Sequence, residues 1–302
     1  MTEQHLNIAG YKFVALDDRD ALRQPFKQKC DELGLRGTIL LSHEGINIFV
    51  AGPEPNIEQF RLFLSEDERF ADIDFKVSHS EHQPFNRMNV RLKNEIISVG
   101  LPNFDRVEPD LGRILPAQLH EKLLNGEDVV LLDTRNTYET RLGTFQNAIE
   151  LDIDTFRAFP QAVSEMDSSY KDKEIVMFCT GGVRCEKASV IMKDAGFTNI
   201  KQLEGGILGY FEQVGGDYWE GECFVFDKRV ALLPDLTETG TTVCFACREP
   251  LTPKEQLHPA YVPGESCSCI ALTVLNPTPS TDSGWMNEGI DAIRDRVGHH
   301  QQ

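Results

Sequence analysis

Cys179 stands where a short apolar segment gives way to a glycine-containing loop, and this arrangement is suited to nucleophilic chemistry. The loop continues through Thr180, Gly181, Gly182, Val183 and Arg184 to a second thiol at Cys185. The two glycines allow several backbone N–H groups to converge on one point, and a following helix would direct the positive end of its dipole there. A helix N-terminus and a neighbouring arginine both lower the pKa of a cysteine. The pattern therefore predicts a reactive thiolate, or a sulfur-bound group, at Cys179.

An inert buried cysteine is the alternative, because free cysteine is among the most buried residue types. The elements around the loop favour the reactive interpretation. The apolar run over 175–178 predicts a buried strand, and apolar residues at 188, 191, 192 and 195 predict a helix packed on it. An abrupt strand-to-helix change beside adjacent glycines is typical of an anion cradle rather than of an inert core position.

Strands and helices alternate throughout the central part of the chain, residues 113–222. Residues 116–124 predict a helix, and the turn 204–206 leads into another that contains Ile207, Tyr210 and Phe211; residues 129–133 and 199–203 predict strands. Such alternation predicts a parallel sheet with helices on both faces, whose chemistry lies at the carboxyl ends of the strands. Asp133, Arg135 and Glu139 follow one strand at short spacing, and we expect them to form a structural ion network.

The first hundred residues predict a separate domain with a ferredoxin-like β-α-β-β-α-β order. The predicted strands cover residues 11–16, 38–41, 46–50 and 73–77, with a helix opening at Pro25 and another carrying Ile57, Phe60 and Leu64 on one face. Residues 101–112 read as a linker. The α/β chain is thus expected to contain two main domains.

Three basic residues lie near the end of this first domain. Arg87, Arg91 and Lys93 would share one face of a strand, because side chains alternate along it. They form either a phosphate-contacting patch or an exposed, solvated face. The net charge of −18 argues against general affinity for nucleic acid but not against such a local patch.

Eight cysteines occur in a chain with neither an export signal nor an apolar run of the roughly 20 residues that span a membrane. We therefore expect a cytoplasmic protein without a membrane partner, whose cysteines act as thiols and metal ligands. Within the C-terminal extension, residues 223–302, four of them form a candidate zinc knuckle: Cys244, Cys247, Cys267 and Cys269. The second pair has one residue between its members, whereas a regular knuckle has two. A reduced, disordered tail is the alternative.

The cradle from Cys179 to Arg184 resembles the active loop of rhodanese sulfurtransferases. The longer string 179–189, together with residues 43–47 (His-Glu-Gly-Ile-Asn) and the Cys244/Cys247 pair, closely resembles the rhodanese-domain tRNA uridine hydroxylases. This resemblance implies that molecular oxygen is used to make 5-hydroxyuridine at the wobble position of tRNA. It also implies that Cys179 is the active-site cysteine, cradled by Thr180, Gly181, Gly182, Val183 and Arg184. Cys185 matches a second cysteine that simple rhodaneses usually lack.

Three hypotheses follow. The first is a tRNA uridine hydroxylase in which Cys179, Cys185 and Arg184 are catalytic, with the second thiol resolving the first as a disulfide. The second is a sulfurtransferase that carries sulfane sulfur as a Cys179 persulfide. The third is an RNA-binding scaffold that needs no thiol. The sequence shows neither a 2-His-1-carboxylate signal nor a flavin fingerprint, and the electron donor stays open.

Overall fold

Two five-stranded sheets organise the chain, one in its N-terminal part and one in its central part. The computed structural model describes residues 4–101, 104, 107, 112–244, 247–263 and 267. Within these residues, no helix combines the length and apolar character that a membrane crossing requires. Cys269, the fourth cysteine of the predicted knuckle, lies outside the described residues.

The N-terminal sheet is antiparallel over four strands and has the ferredoxin-like order β4-β1-β3-β2, with β5 added parallel to β2 at the edge. Its elements are β1 (His5–Phe13), α1 (Arg19–Glu32), β2 (Arg36–Ser42), β3 (Gly45–Gly52), α2 (Glu54–Ser65), β4 (Lys76–Ser80) and β5 (Met88–Leu92). The predicted ferredoxin-like fold is confirmed. The predicted β-α-β-β-α-β order ends before β5, the strand that carries Arg91, and its parallel pairing with β2 adds a fifth strand to this fold.

Both N-terminal helices cover the same face of this sheet. Phe26 of α1 and Phe60 of α2 pack with Ile8 and Ile48 in one buried cluster. Because side chains alternate along a strand, the neighbouring residues of β1 and β3 point to the opposite face. That open face carries Tyr11, Phe13, Asn47 and Phe49. It is the surface that meets the central part of the chain.

Three predicted boundaries were wrong. β1 begins at His5 and ends at Phe13, and the buried Leu16 follows it outside the strand. Helix α1 begins at Arg19, so Pro25 lies within it rather than opening it. A proline there removes one N–H donor, and the apolar side of the helix, which includes Phe26, still packs on the core. β4 begins at Lys76, after the predicted start.

The central sheet has the order β6-β11-β10-β7-β9, and all its pairings are parallel, as predicted. Its region contains β6 (Arg113–Ile114), α3 (Pro116–Leu124), β7 (Val129–Asp133), α4 (Thr137–Thr140), β8 (Gly143–Phe145), β9 (Ile149–Glu150), α5 (Phe159–Glu165), β10 (Glu174–Phe178), α6 (Val183–Asp194), β11 (Asn199–Leu203), α7 (Gly206–Gln213) and β12 (Trp219–Gly221). Ile175 and Met177 of β10 pack toward α5 and α6, whereas Val176 and Phe178 pack toward α3 and α7. Helices therefore cover both faces.

Short hairpins form the C-terminal part that the structure describes: β13 (Cys223–Phe224) with β14 (Ala231–Leu232), and β15 (Thr242–Val243) with β16 (Pro250–Leu251). The first hairpin contacts both main parts. Phe224 packs edge-on against Tyr138 of the central part, with ring centroids 5.2 Å apart. Arg229 Nη1 donates a hydrogen bond of 2.7 Å to Ser78 Oγ of the N-terminal sheet. The extension thus helps to fix the two sheets relative to each other.

Candidate active site

The cysteine loop connects the carboxyl end of β10 to the start of α6 and is held from two sides. The Gly182 N–H donates to Cys179 Sγ at 3.1 Å. The N–H groups of Ile207 and Leu208, at the start of α7, donate to the carbonyls of Cys179 and Thr180 at 3.0 and 3.1 Å. A Cβ atom on Gly206 would lie 2.4 Å from the Cys179 carbonyl oxygen, so only glycine permits this close approach. Two helix N-termini therefore meet at the loop.

Cys179 is fully buried, and its surroundings favour its charged form. Burial by itself raises the pKa of this thiol. The hydrogen bond from Cys185, the positive charge of Arg184 and the backbone N–H groups of Arg184 and Gly182 outweigh burial and lower the pKa from 9.0 to about 6. Cys179 is thus mainly a thiolate at neutral pH. The direction of the shift is the one expected from the sequence.

Arg184 does not extend freely toward the pocket, because Glu139 holds it. The two guanidinium nitrogens donate to the two carboxylate oxygens at 2.6 and 2.7 Å, and both side chains are buried. The predicted ion network is confirmed for Asp133 and Arg135, which pair at 2.6 Å. It was wrong for Glu139, which pairs with Arg184 instead. This bidentate contact fixes the positive charge beside Cys179.

A pocket of about 560 Å³ opens above the loop, between the two sheets. Its floor includes Cys179, Thr180, Gly181, Val183 and Arg184, and its opposite wall is the open face of the N-terminal sheet, with Tyr11, Phe13, Asn47 and Phe49. Phe226 of the C-terminal extension also lines the pocket, together with charged side chains that include Lys76, Arg113 and Glu186. This volume lies in the ordinary range for small-molecule sites, and aromatic rings line much of the wall. The loop and the N-terminal domain form this site together.

Tyr11 and Glu186 join the two walls beside the thiol. The Tyr11 hydroxyl donates to Glu186 Oε1 at 2.9 Å, and Arg113 Nη2 donates to the same oxygen at 2.8 Å. Gln202 Nε2 donates to Glu186 Oε2 at 3.2 Å. Burial, followed by the charge of Glu186, raises the pKa of Tyr11. The phenol therefore stays protonated and keeps its hydrogen bond across the pocket wall.

A second contact between the two parts involves a fully buried lysine. Lys187 Nζ lies 2.8 Å from Glu44 Oε2 and 2.6 Å from Glu95 Oε2. Glu44 belongs to the His-Glu-Gly-Ile-Asn motif and also accepts a hydrogen bond from the Ile96 N–H at 2.7 Å. A Cβ atom on Gly45 would lie 2.1 Å from a backbone carbonyl of β1, which accounts for the glycine in this motif. The sequence did not predict this contact, although Glu44 lies within the motif 43–47 and Lys187 within the string 179–189.

The predicted basic residues lie away from the pocket lining. Arg91 is on the edge strand β5, and Arg87 and Lys93 flank that strand. Arg91 pairs across the sheet with Leu40, and Leu40 with Asn47. Cross-strand partners share a face, so Arg91 lies on the same face as the pocket wall, about 10 Å from Asn47 at two strand spacings.

The predicted metal-binding cysteines lie together where the structure describes them. The sulfur atoms of Cys244, Cys247 and Cys267 all lie within 4.8 Å of one another. Cys244 follows β15, and Arg248, just after Cys247, has a φ of 69° in the tight turn that returns the chain to β16. Tetrahedral zinc with Zn–S bonds of about 2.3 Å places sulfur atoms about 3.8 Å apart. Cys247 Sγ and Cys267 Sγ lie 3.2 Å apart, so these thiols could hold zinc once this pair moves apart by a few tenths of an ångström.

The fold and the cysteine loop define a class of protein: a rhodanese-type thiol site completed by a ferredoxin-like domain. Family models agree with both parts. Residues 5–96 match the UPF0176 acylphosphatase like domain, and residues 115–213 match the Rhodanese-like domain.

Curated relatives narrow this class. The chain is 50% identical over 272 residues to the tRNA uridine(34) hydroxylase of Cupriavidus metallidurans, covering 87% of this chain and 95% of that protein. It is 46% identical over 278 residues to the protein of the same name from Burkholderia orbicola, covering 88% and 97%. This chain belongs to the tRNA uridine(34) hydroxylase family, and the resemblance seen in its motifs is confirmed.

Proposed function

We propose that this protein hydroxylates C5 of uridine 34 in tRNA, with molecular oxygen as co-substrate. The observation that carries the proposal is the position of Cys179 at the floor of a pocket whose opposite wall includes Tyr11, Phe13 and Phe49. A base that is reached by an enzyme must leave its stack, and aromatic side chains offer it a new one. Membership in the hydroxylase family supports the same substrate. A tRNA substrate and reduced cysteines are in keeping with a cytoplasmic location.

The chemistry of uracil accounts for the position of the new hydroxyl group. C6 of the base is conjugated with the C4 carbonyl, so a thiolate can add there as a nucleophile. Addition of Cys179 to C6 leaves an enolate whose nucleophilic carbon is C5, the atom that then combines with oxygen. Glu139 holds Arg184 beside the sulfur and so maintains the thiolate before the base arrives. In this proposal Cys179 is the nucleophile, and the positive charge of Arg184 stabilises its thiolate.

The wider tRNA contact is proposed to include Arg87, Arg91 and Lys93. Arg91 shares the open sheet face with the pocket wall, so a strand of tRNA that delivers its base to Cys179 can pass over β5. Because the chain as a whole carries a net charge of −18, binding of tRNA phosphates requires a local cluster of basic residues such as this one.

Purified protein, tRNA with an unmodified uridine 34 and heavy-isotope oxygen gas provide the test. With a thiol reductant present, we expect 5-hydroxyuridine carrying one heavy oxygen atom, identified by mass spectrometry of the nucleosides. Product whose oxygen comes from water, or no product at all, would contradict the proposal. Rapid thiocyanate formation from thiosulfate and cyanide, without any change in the tRNA, would instead support the sulfurtransferase alternative.

We also propose that Cys244, Cys247 and Cys267 hold a structural zinc ion, with Cys269 as the candidate fourth ligand. Protein purified without added zinc should contain about one equivalent per chain, measured by elemental analysis. Cys247→Ser should lose most of the metal, and Cys30→Ser should keep it, because Cys30 lies in the N-terminal core. Less than about a tenth of an equivalent in the unaltered protein would end this hypothesis.

A further inference from the structure

Two thiols lie together beneath the pocket. Cys179 and Cys185 are fully buried in one cluster, and the Cys185 thiol is among the groups that lower the pKa of Cys179. Gly182 links them through the backbone: its N–H donates to Cys179 Sγ at 3.1 Å, and its carbonyl accepts from the Cys185 N–H at 3.0 Å. Cys179 lines the pocket, whereas Cys185 lies behind it and is not among the lining residues. The pair is therefore held in place, with only one member facing the substrate.

The surroundings of Cys185 differ from those of Cys179. Thr134 Oγ1 lies 3.8 Å from Cys185 Sγ and donates its single proton to the Phe178 carbonyl at 2.9 Å. The hydroxyl oxygen can therefore accept a hydrogen bond from the thiol. Burial, followed by the hydrogen bond and charge of Cys179, raises the pKa of Cys185 well above its usual value. At neutral pH the site contains one thiolate and one thiol.

The proposed reaction needs two electrons that neither uridine nor oxygen supplies. One atom of O₂ enters C5 and the other becomes water, so the conversion of C5–H to C5–OH also consumes two electrons and two protons. Oxidation of two thiols to a disulfide releases two electrons and two protons. The two sulfur atoms below the pocket match this requirement.

We propose that the Cys179–Cys185 dithiol is the internal electron donor of the hydroxylation, and that each turnover ends with a disulfide between these residues. This inference rests on the proposed function. It gives the second thiol a part in the reaction itself, rather than only in protecting the first. It also assigns the donor that the sequence left open.

The steps balance. The Cys179 thiolate adds to C6, and the enolate carbon C5 bonds to O₂ and takes a proton to give a C5 hydroperoxide. Loss of the C5 proton expels Cys179 from C6 as a thiolate, restores the C5=C6 bond and leaves the hydroperoxide on C5. The Cys179 thiolate, which lines the pocket, attacks the outer oxygen, and the O–O bond breaks to leave C5–OH and a sulfenic acid on Cys179. The Cys185 thiol then attacks the sulfenic sulfur of Cys179, forming the S–S bond and releasing water.

Restoration of the pair needs an external thiol, by class a dithiol or glutathione-type reductant. Of the two sulfurs, the one that lines the pocket is Cys179. The external thiol therefore attacks Cys179 after the product has left, and Cys185 departs as a thiol. A second thiol, from the same dithiol or from another molecule of reductant, then attacks the external sulfur of the mixed disulfide and releases Cys179 as a thiolate.

A single-turnover experiment tests the proposal. Protein is reduced, freed of reductant and mixed with excess tRNA containing unmodified uridine 34 in oxygenated buffer. We expect about one 5-hydroxyuridine per polypeptide and then no more, because the pair holds one two-electron equivalent. Peptide mapping should find a disulfide between Cys179 and Cys185, with Cys30 and Cys223 still reduced. Added dithiothreitol should restart the reaction.

Cys185→Ser supplies the matched variant, because serine keeps the size and can still hydrogen-bond Thr134. Without reductant the variant should still form about one 5-hydroxyuridine per polypeptide, but Cys179 should end as a sulfenic acid, which dimedone labels, and not as a disulfide. A purely structural defect would lower the product without leaving a labelled Cys179, and product formed with Cys179 unlabelled would overturn the dithiol donor.

The outcomes separate the two proposals. Several turnovers per wild-type polypeptide without reductant, or a full burst that leaves both thiols free, would overturn the dithiol donor while the hydroxylase function stands. No product even with reductant and oxygen would overturn the proposed function and the donor together. The wild-type stoichiometry decides the question even where a variant fails to fold.

Discussion

Cells that carry Cys179→Ser as their sole copy of this protein should show at least a ~10³-fold loss of 5-hydroxyuridine, because an enzyme nucleophile has been removed. A serine hydroxyl stays protonated at neutral pH, whereas the pKa of about 6 keeps Cys179 mainly as a thiolate. The measurement is mass spectrometry of tRNA nucleosides from a deletion strain that lacks other routes to 5-hydroxyuridine and expresses the variant. Cys30→Ser is the control, since it changes another fully buried thiol, far from the loop in the fold.

The same variant also tests how the thiol acts. Fluorine at C5 of uridine 34 leaves no proton to be lost after addition, so the bond between Cys179 and C6 should persist. We expect wild-type protein to form a covalent complex with such a tRNA on a denaturing gel, and Cys179→Ser to form none. Near-normal 5-hydroxyuridine in the variant would remove the nucleophile from the mechanism and favour the RNA-binding scaffold.

Lys187→Met should lower the free energy of unfolding by about 3–5 kcal/mol, as expected when one partner of a buried ion cluster is removed. The change leaves Glu44 and Glu95 without the ammonium group that lies within 2.8 Å of each. Burial raises the pKa of Glu44, and Lys187 opposes that rise. Chemical denaturation followed by circular dichroism gives the measurement, with activity recorded on the same samples.

Lys27→Met provides the comparison, because Lys27 pairs with Asp31 on the exposed side of α1. That pair should contribute less than about 1 kcal/mol. Adding Glu44→Gln to Lys187→Met should recover part of the loss, since it removes one unpaired buried charge. A loss below about 1 kcal/mol for Lys187→Met itself would show that the cluster does not hold the two domains together.

Local pattern predicted the elements of the central domain well. Helix α3 and strands β7 and β11 have the predicted bounds. The clearest case is β7, a continuous apolar run, whereas Pro116 and Asn125-Gly126 mark the two ends of α3. Pro25 was misplaced because the packing of α1 on the sheet outweighs one missing hydrogen bond. The position of Cys179 at the end of a buried strand followed from the sequence in the same way.

The completed pocket could not be predicted, because it depends on contacts between residues distant in the chain. Tyr11 meets Glu186, and Glu44 meets Lys187, only after both sheets have formed and docked. The partner of Arg184 was missed for a related reason. Arg184 could have paired with either acid of the predicted ion network, Asp133 or Glu139. Because α4 returns toward the loop, the partner is Glu139. The periodicity of hydrophobic residues along the sequence does not indicate which distant side chains pair in the fold.

The N-terminal sheet lies over the cysteine loop, and this has a consequence for the newly made protein. A ribosome produces the chain from its N-terminus, and domains generally fold as units in that order. The open face with Tyr11 and Phe49 is thus ready before Cys179 is synthesised. An acidic thiol is also the kind that oxidises most readily. We therefore expect the sheet that covers Cys179 to be formed already when the cysteine loop folds against it.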